Sequence, residues 1–355
     1  MAKEFVKGNE AIGKAAILAG LDCYFGYPIT PQSEIPEYLS AELPKVGKVF
    51  LQAESEVAAI NMVYGAAGTG VRVMTSSSSP GVSLKLEGIS YMAGAELPCV
   101  IVNIQRGGPG LGNIAPEQGD YFQATKGGGH GNYRLIVLAP DSGQEMADFT
   151  MHAFNLAEKY RTPVMLLGDG YLGQMKEAVE FKTPERIKTD MSWTIGNQEK
   201  NGHQVISSID IEPEILEQRN LRLLAKYKEI QKTEVMYENF MTDDAELIVV
   251  AYGITSRVAR SAVEVARQQG LKVGLFRPKT LFPFPKNELK NLTSRVKKVL
   301  VCELSTGQMV EDVKLNSACD ADVYFYGRCG GVVPSDLELV EQFKKISEGK
   351  GVIWE

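Results

Sequence analysis

The sequence predicts two α/β domains built on parallel sheets, from its length, its hydrophobic rhythm and the make-up of its apolar stretches. A chain of 355 residues is too long for one small module and suits two domains of ordinary size. Apolar stretches of about four to eight residues, bounded by Gly, Pro, Ser or Asp, alternate with longer helical patterns, the βαβ order of a parallel sheet. These stretches are almost continuously hydrophobic, as strands are when helices cover both faces of their sheet.

Taken in order, the strands of the first domain read DCYFGYP, KVFLQA, VRVMTS, CVIVNIQ, RLIVLA and PVMLLG, within residues 1–180. From Phe181 to Asp243 the chain turns polar and charged, with one stretch of helical spacing, PEILEQRNLRLLAKYKEIQKT, and residues 181–243 read as an excursion between domains. A second βαβ series, AELIVVAYG, LKVGLFRPK, KKVLVCEL and ADVYFYG, with helices such as TSRVARSAVEVARQQG between them, fills residues 244–355.

Composition narrows the function. Hydrophobic residues are 44% and charged residues 23% of the chain, enough to bury sizeable cores and unlike a disordered protein. A mean hydropathy of -0.12, with no apolar run near the ~18 residues a membrane helix needs, predicts no membrane span. The net charge of -6 offers no pull on a polyanion, so nucleic acid is not an expected partner. Cys23, Cys99, Cys302, Cys319 and Cys329 are scattered without a C-x-x-C pair, and there are only three histidines, so no metal is expected on this chain. Lys3, Glu4, Lys7, Glu10 and Lys14 break up the N-terminal apolar pattern, which lacks a secretory h-region, and unpaired cysteines suit a reducing cytoplasm.

In open parallel sheets ligands bind at the carboxyl ends of the strands, which singles out four loops. In Gly26-Tyr27-Pro28-Ile29-Thr30-Pro31 two prolines hold Thr30 at a strand exit, as a functional hydroxyl or as an N-cap in a rigid turn. Glu56 opens the helix VAAINMVYGAAGTG, stacked with Ile60, Val63 and Ala67 on a helix that reads as buried on most sides. The helix dipole lowers the pKa of such an acid and burial raises it; the simpler reading is a helix-start acid with Ser55 as cap. Ser76 to Gly81 crowds hydroxyls before the helix GVSLKLEGISYMAGA, a start able to meet an anion, though plain capping is the cheaper explanation. Arg106 stands between a buried strand and the loop Gly107 to Asn113, placed to clamp a carboxylate or to pair with Glu117 or Asp120. Gly110, Gly112 and Ala115 match G-x-G-x-x-A, but Pro116 interrupts the helix a dinucleotide site needs. Gly168-Asp169-Gly170 echoes a metal-diphosphate motif whose paired asparagines are missing, Asn197 being single, and reads as a strand-end turn.

Together and in this order, the loops resemble the α subunit of the 2-oxoacid:ferredoxin oxidoreductases. The resemblance rests on KGNEAI (Lys7 to Ile12), GYPITPQSEIPEYL (Gly26 to Leu39), ESEVAAI (Glu54 to Ile60), SPGVSL (Ser79 to Leu84), QRGGPGLGN (Gln105 to Asn113) and QATKGGGHG (Gln123 to Gly131). It continues through FRPKTLFPFP (Phe276 to Pro285), STGQM (Ser305 to Met309) and GRCGGVVPS (Gly327 to Ser335), nearly the whole chain. It implies a doubly wound, thiamine-diphosphate pyrimidine-binding domain followed by a transketolase C-terminal-like domain. It further implies that this chain covers the aminopyrimidine end of thiamine diphosphate, while a β subunit holds the diphosphate and Mg²⁺. Small γ and iron–sulfur subunits would pass electrons to ferredoxin, and the acyl group would go to coenzyme A.

By motif position the resemblance gives Glu56, not Glu54, the ring nitrogen of the cofactor. It gives Arg106 the substrate carboxylate, Thr30 a hydrogen bond at the reacting centre, and Tyr27, Pro28 and Ile29 a wall of the cofactor site. Ser78-Ser79-Pro80-Gly81 stands where many relatives read SGPG, and Lys85 stands where an apolar residue is commoner. The stretches GGPGLGN and KGGGHG are more similar to branched-chain (2-oxoisovalerate, 3-methyl-2-oxobutanoate) members than to 2-oxoglutarate members. Gly307, Gln308 and the loop Gly327 to Gly331 read as turns near a chain interface. An enzyme requires Glu56, Thr30 and Arg106 around one cleft; a purely structural assembly subunit would leave them apart.

Overall fold

The computed structural model describes residues 3–195 and 202–354. Its first half runs β1 (Glu4–Lys7), α1 (Gly8–Leu18), β2 (Cys23–Gly26), α2 (Glu34–Glu42), β3 (Val49–Gln52), α3 (Glu56–Gly68), β4 (Val73–Ser77), α4 (Ser79–Gly94) and β5 (Cys99–Gln105). There follow α5 (Tyr121–Thr125), β6 (Ile136–Leu138), α6 (Gly143–Tyr160), β7 (Pro163–Asp169), α7 (Gly170–Gln174) and β8 (Lys176–Val179). Every strand read from the apolar stretches is present. β4, β5, β6 and β7 are buried along their whole length, as their unbroken hydrophobicity requires.

The polar stretch carries α8 (Pro213–Thr233), which lays Leu223, Tyr227 and Ile230 on the core. The second half runs β9 (Tyr237–Phe240), β10 (Leu247–Val250), α9 (Gly253–Gln268), β11 (Val273–Pro278), β12 (Thr280–Phe282), α10 (Lys286–Arg295), β13 (Lys298–Glu303), α11 (Met309–Asn316), β14 (Asp322–Gly327) and α12 (Asp336–Ser347). α9 is the most clearly amphipathic: Ala259, Ala262, Val263 and Ala266 recur at helical spacing on its buried face.

The strands form a 7-stranded sheet of order β12-β6-β7-β5-β4-β2-β3, a 5-stranded sheet of order β14-β13-β10-β11-β9, and the antiparallel pair β1-β8. Both large sheets are parallel apart from one antiparallel edge, β12 in the first and β9 in the second. In the first sheet β3 and β4 flank β2 on opposite sides; in the second, β11 and β13 flank β10. Where strand order reverses in this way, adjacent loops diverge and leave a crevice at the carboxyl ends. The four strands absent from the apolar pattern, β1, β8, β9 and β12, are short pieces of three or four residues. β12 leaves β11 and crosses to the first sheet, so the second half of the chain completes the first sheet.

Buried polar groups join the two sheets. Gln118, wholly buried, donates through Nε2 to the Tyr252 carbonyl at 2.8 Å and accepts from the Leu304 amide at 3.0 Å. Gln308 accepts from the Phe122 amide and donates to the Gly119 carbonyl, and the Tyr121 hydroxyl donates to Asp312 at 2.6 Å. Arg277 enters among Asp141, Glu145 and Glu238 and binds β11 to the start of α6. Replacing Gln118 with Ala leaves the buried Leu304 amide unpaired, which costs about 1–3 kcal/mol. The expected outcome is a lower urea-unfolding midpoint for Q118A; an unchanged midpoint contradicts this role.

Candidate active site at the carboxyl edge of the first sheet

The loops after β2, β3, β4 and β5 leave the same edge of the 7-stranded sheet, and the start of α4 lies at their centre. On one side is Glu56, the first residue of α3, only 6% exposed. A Cβ built on Gly81 would lie 2.6 Å from Glu56 Oε1 and 2.2 Å from Ser77 Oγ. Only glycine lets the carboxyl approach the α4 backbone so closely. One turn further along α3, Ile60 meets Gly88 of α4, where a Cβ would lie at 2.6 Å. The two glycines let the helices close on each other. The reading of α3 as buried on most sides is corrected: Glu56, Ile60, Val63 and Ala67 face inward, but Val57 is 46% exposed, and Asn61 and Gly65 are also exposed.

On the other side of the α4 start is Arg106, whose backbone amide donates to Ser79 Oγ at 3.1 Å. Ser79 holds φ at 23°, outside the usual range for a non-glycine residue. Three bonds fix it: its amide to Asn103 Oδ1 at 3.0 Å, its hydroxyl to Asp120 Oδ2 at 2.6 Å, and the bond from Arg106. Backbone strain of this kind persists only where its surroundings over-determine it, commonly at functional sites. Burial raises the Asp120 carboxyl above its ordinary value, against the bonds from Ser79 and Asn103 that lower it.

The Arg106 guanidinium donates to the Thr30 carbonyl at 2.9 Å and to the Leu111 carbonyl at 3.1 Å, and its buried Nε has no partner. It pairs with neither Glu117 nor Asp120. Glu117 instead accepts from the Gly108 and Gly330 amides, and Asp120 accepts from Ser79 and Asn103. Thr30 does not cap α2, whose cap position is Ser33. Tyr27 and Ile29 are half-buried, and Pro28 and Thr30 are exposed at the edge. Asn9 supports this loop from beneath, donating to the Pro31 carbonyl at 2.7 Å and to Glu34 at 2.8 Å. Ser55 does cap α3, accepting from the Ala58 amide at 3.1 Å. Plain capping fails at α4: Ser78 makes no side-chain cap bond, and the buried hydroxyls of Ser77 and Ser78 have no partner.

Arg106 and the α4 start open into a cleft of about 920 Å³ that also touches Gly107 to Leu111, Glu117, Asp120, Ser305, Thr306, Gln308, Cys329 and Gly330. The second sheet thus closes the cleft with its own carboxyl-end loops. Glu303 shapes one of them, accepting from the Met309 and Val310 amides at 2.9 Å each, and burial raises its carboxyl. Asn113 donates to the Gly330 carbonyl at 3.0 Å across the cleft. Asp169 caps α7 by accepting from Tyr171 and Leu172 and also accepts from the Ile254 amide; burial raises it to about 6. This is the turn expected of Gly168-Asp169-Gly170, and Asn197 lies outside the described residues. Among the described residues no group of three His, Cys, Asp or Glu could hold a metal ion, and no helix is long and apolar enough to cross a membrane.

Lys85 carries a signal that sequence reading left unused. It is completely buried on α4 and donates to Thr75 Oγ1 and to the Ser76 carbonyl. Burial lowers it to about 7, against the attraction of Glu56. Its interruption of an otherwise apolar helical face was the available clue.

Residues 14–240 match the family model described as pyruvate flavodoxin/ferredoxin oxidoreductase, thiamine diphosphate-binding, and residues 245–339 match core domain II of pyruvate:ferredoxin oxidoreductase. The fold is therefore that of a thiamine diphosphate-binding α/β protein. The ketoisovalerate oxidoreductase subunit VorB of Methanothermobacter thermautotrophicus is 54% identical over 99% of both chains. The 2-oxoglutarate synthase subunit KorA of Methanocaldococcus jannaschii is 38% identical, over 95% of this chain and 99% of its own. A solved 2-oxoglutarate:ferredoxin oxidoreductase from Magnetococcus marinus, with 2-oxoglutarate, coenzyme A and succinyl-CoA bound, superposes with a TM-score of 0.86 at 28% identity. That match covers 97% of this chain and 65% of the solved one. The chain belongs to the 2-oxoacid:ferredoxin oxidoreductase family and is a subunit of a multi-chain oxidoreductase.

Two variants separate close packing from helix propensity. G81A drives a Cβ into Ser77 and Glu56 and lowers the thermal midpoint through about 1–3 kcal/mol of overpacking. G65A, with nothing within 4 Å of the added Cβ, raises it slightly; equal shifts contradict the packing account. A second prediction concerns pH. With Lys85 at about 7 folded against its ordinary 10.5, the unfolded chain binds more protons across that window. Stability from this group therefore rises as pH rises from 7 towards 10.5. K85M should flatten that slope in urea titrations; an unchanged slope contradicts it.

Proposed function

We propose that the chain is the α subunit of a ferredoxin-dependent oxidoreductase that oxidatively decarboxylates 2-oxoisovalerate (3-methyl-2-oxobutanoate) to its acyl-CoA and CO₂. The observation that carries this reading is that the Glu56 carboxyl reaches Gly81 and the Arg106 amide reaches Ser79, two residues apart at the α4 start, with the Arg106 guanidinium on the Thr30 carbonyl. The residues fit the aminopyrimidine end of thiamine diphosphate. Ser77 and Ser78 have buried hydroxyls without partners, and Glu56 presents a carboxyl against Gly81. Glu56 would hold a ring nitrogen, with the loop Tyr27, Pro28 and Ile29 as a wall. When bound, the cofactor supplies the carbanion chemistry that decarboxylation of a 2-oxoacid needs.

The chain's own residues do the rest. Glu56, shielded from water, shares a proton with the ring and so tunes its basicity. Arg106, with two carbonyls fixing its plane and an unpaired Nε, orients the substrate carboxylate. The Thr30 hydroxyl serves the reacting centre. Among the described residues that line the cleft Arg106 is the one cation, accompanied by Glu117 and Asp120. A substrate with one carboxylate and an apolar tail suits that balance, whereas 2-oxoglutarate would bring a second negative charge.

On this reading residues 1–180 form the pyrimidine-binding domain and 244–355 the transketolase C-terminal-like domain. A β subunit holds the diphosphate and Mg²⁺, and γ and iron–sulfur subunits carry electrons to ferredoxin. Coenzyme A accepts the acyl group in a reducing cytoplasm, where free cysteines such as Cys329 stay unpaired.

Reconstitution with the β, γ and iron–sulfur subunits tests this with viologen as acceptor. E56A is expected to lose about 10²–10⁴ in kcat. R106K is expected to raise KM for the 2-oxoacid by about tenfold or more, as a bidentate clamp is lost. 2-Oxoisovalerate should be turned over with a higher kcat/KM than 2-oxoglutarate or pyruvate. Undiminished turnover by E56A removes the catalytic role, and equal or better use of 2-oxoglutarate removes the substrate assignment.

A further inference from the structure

Lys85 lies on the face of α4 that packs against α3. Gly81, Lys85 and Gly88 share one face of α4 at helical spacing. The two glycines touch α3, Gly81 at Glu56 and Gly88 at Ile60, one turn beyond, so Lys85 lies on the stripe between those contacts. Its ammonium reaches the end of β4, donating to Thr75 Oγ1 and the Ser76 carbonyl, and neither partner carries a charge. The next residue on that strand, Ser77, has a buried hydroxyl without a partner, beside the same point on Gly81 that Glu56 approaches.

Among the described residues the titratable groups whose charge acts on Lys85 are Glu56 on α3 and the Cys99 thiol on β5. Burial pushes Cys99 far above its ordinary value, so it stays protonated and neutral. Glu56 is left as the counter-charge. A buried ammonium is tolerated while a carboxylate offsets it and becomes costly once that carboxylate is neutralised.

We propose that Lys85 is the proton reserve for Glu56: when the cofactor ring engages Glu56, the Lys85 ammonium gives up its proton and the Glu56 carboxyl gains one. The balance is closed. An N–H bond at Nζ breaks, an O–H bond at the carboxyl forms, and a +/− pair becomes two neutral groups without a proton from solvent. Lys85 is in this sense a positioning residue, acting through Glu56, and the proposal rests on the reading that Glu56 holds the ring. Because burial brings Lys85 down to about 7, the exchange operates near neutral pH.

The test is calorimetry of thiamine diphosphate with Mg²⁺ binding to the assembled complex, in buffers of different ionisation enthalpy, which counts protons taken up. At about pH 6, a unit below the Lys85 value, the K85R complex, which keeps the charge but cannot release the proton, should take up about one proton more per cofactor than wild type. In wild type alone the count should rise by about one as pH passes the Lys85 value, which keeps the proposal testable if K85R does not assemble. Equal counts for wild type and K85R, or a wild-type count that does not change with pH, overturn the proposal. E56Q separates the two readings: wild-type cofactor affinity in E56Q removes Glu56 as the ring's partner. Weakened affinity in E56Q together with equal counts in wild type and K85R removes only the role of Lys85.

Discussion

The close approach of Glu56 to Gly81 is the contact on which the arrangement of the site depends. A buried carboxyl at a helix start gains from the free amides and the dipole around it, but desolvation opposes its charge. Here it sits against a second helix start, where the missing Cβ of Gly81 gives it room. The same α4 terminus continues into Ser79, whose strained backbone is held by Asn103, Asp120 and Arg106. The Glu56 carboxyl and the Arg106 backbone thereby meet one helix start, at Gly81 and at Ser79.

The second sheet gives this turn its surroundings. Gln118, Gln308 and Asp312 tie the loops after β5 to those after β13, and β12 adds an edge strand to the first sheet. The cleft beside Arg106 is therefore walled by both halves of the chain, although the residues proposed to hold cofactor and substrate all come from the first. The division suits a multi-chain enzyme: one sheet carries the residues proposed for the chemistry and the other fixes their loops. The exposed face of α3 at Val57 and the exposed edge strand β3 remain available on the site's outer side.

Much of this was legible in the amino-acid order because buried parallel strands leave unbroken apolar runs. β5 and β7 are the clearest, each buried from end to end. Short polar strands such as Lys176–Val179 and Tyr237–Phe240 leave no such trace, since backbone pairing, and not apolar burial, defines them. In the site, the loops after β2 to β5 announced themselves through proline, hydroxyl and glycine content. Which partner each residue takes was not legible: Arg106 chose two carbonyls over two nearby acids, a result of backbone paths that local spacing does not encode. Lys85 was visible only as an interruption of a helix pattern, and its meaning depends on a neighbour on another helix.

On the proposed reading Glu56 and Arg106 mark the two ends of one reaction centre, with the α4 start between cofactor ring and substrate. An experimental structure of this chain assembled with its β subunit, thiamine diphosphate and 2-oxoisovalerate tests it most directly. The expected result is a Glu56 carboxylate oxygen within hydrogen-bond reach of a ring nitrogen and the substrate carboxylate on Arg106, both beside Gly81 and Ser79. A ring seated away from the start of α4, or a substrate carboxylate bound without Arg106, would contradict it.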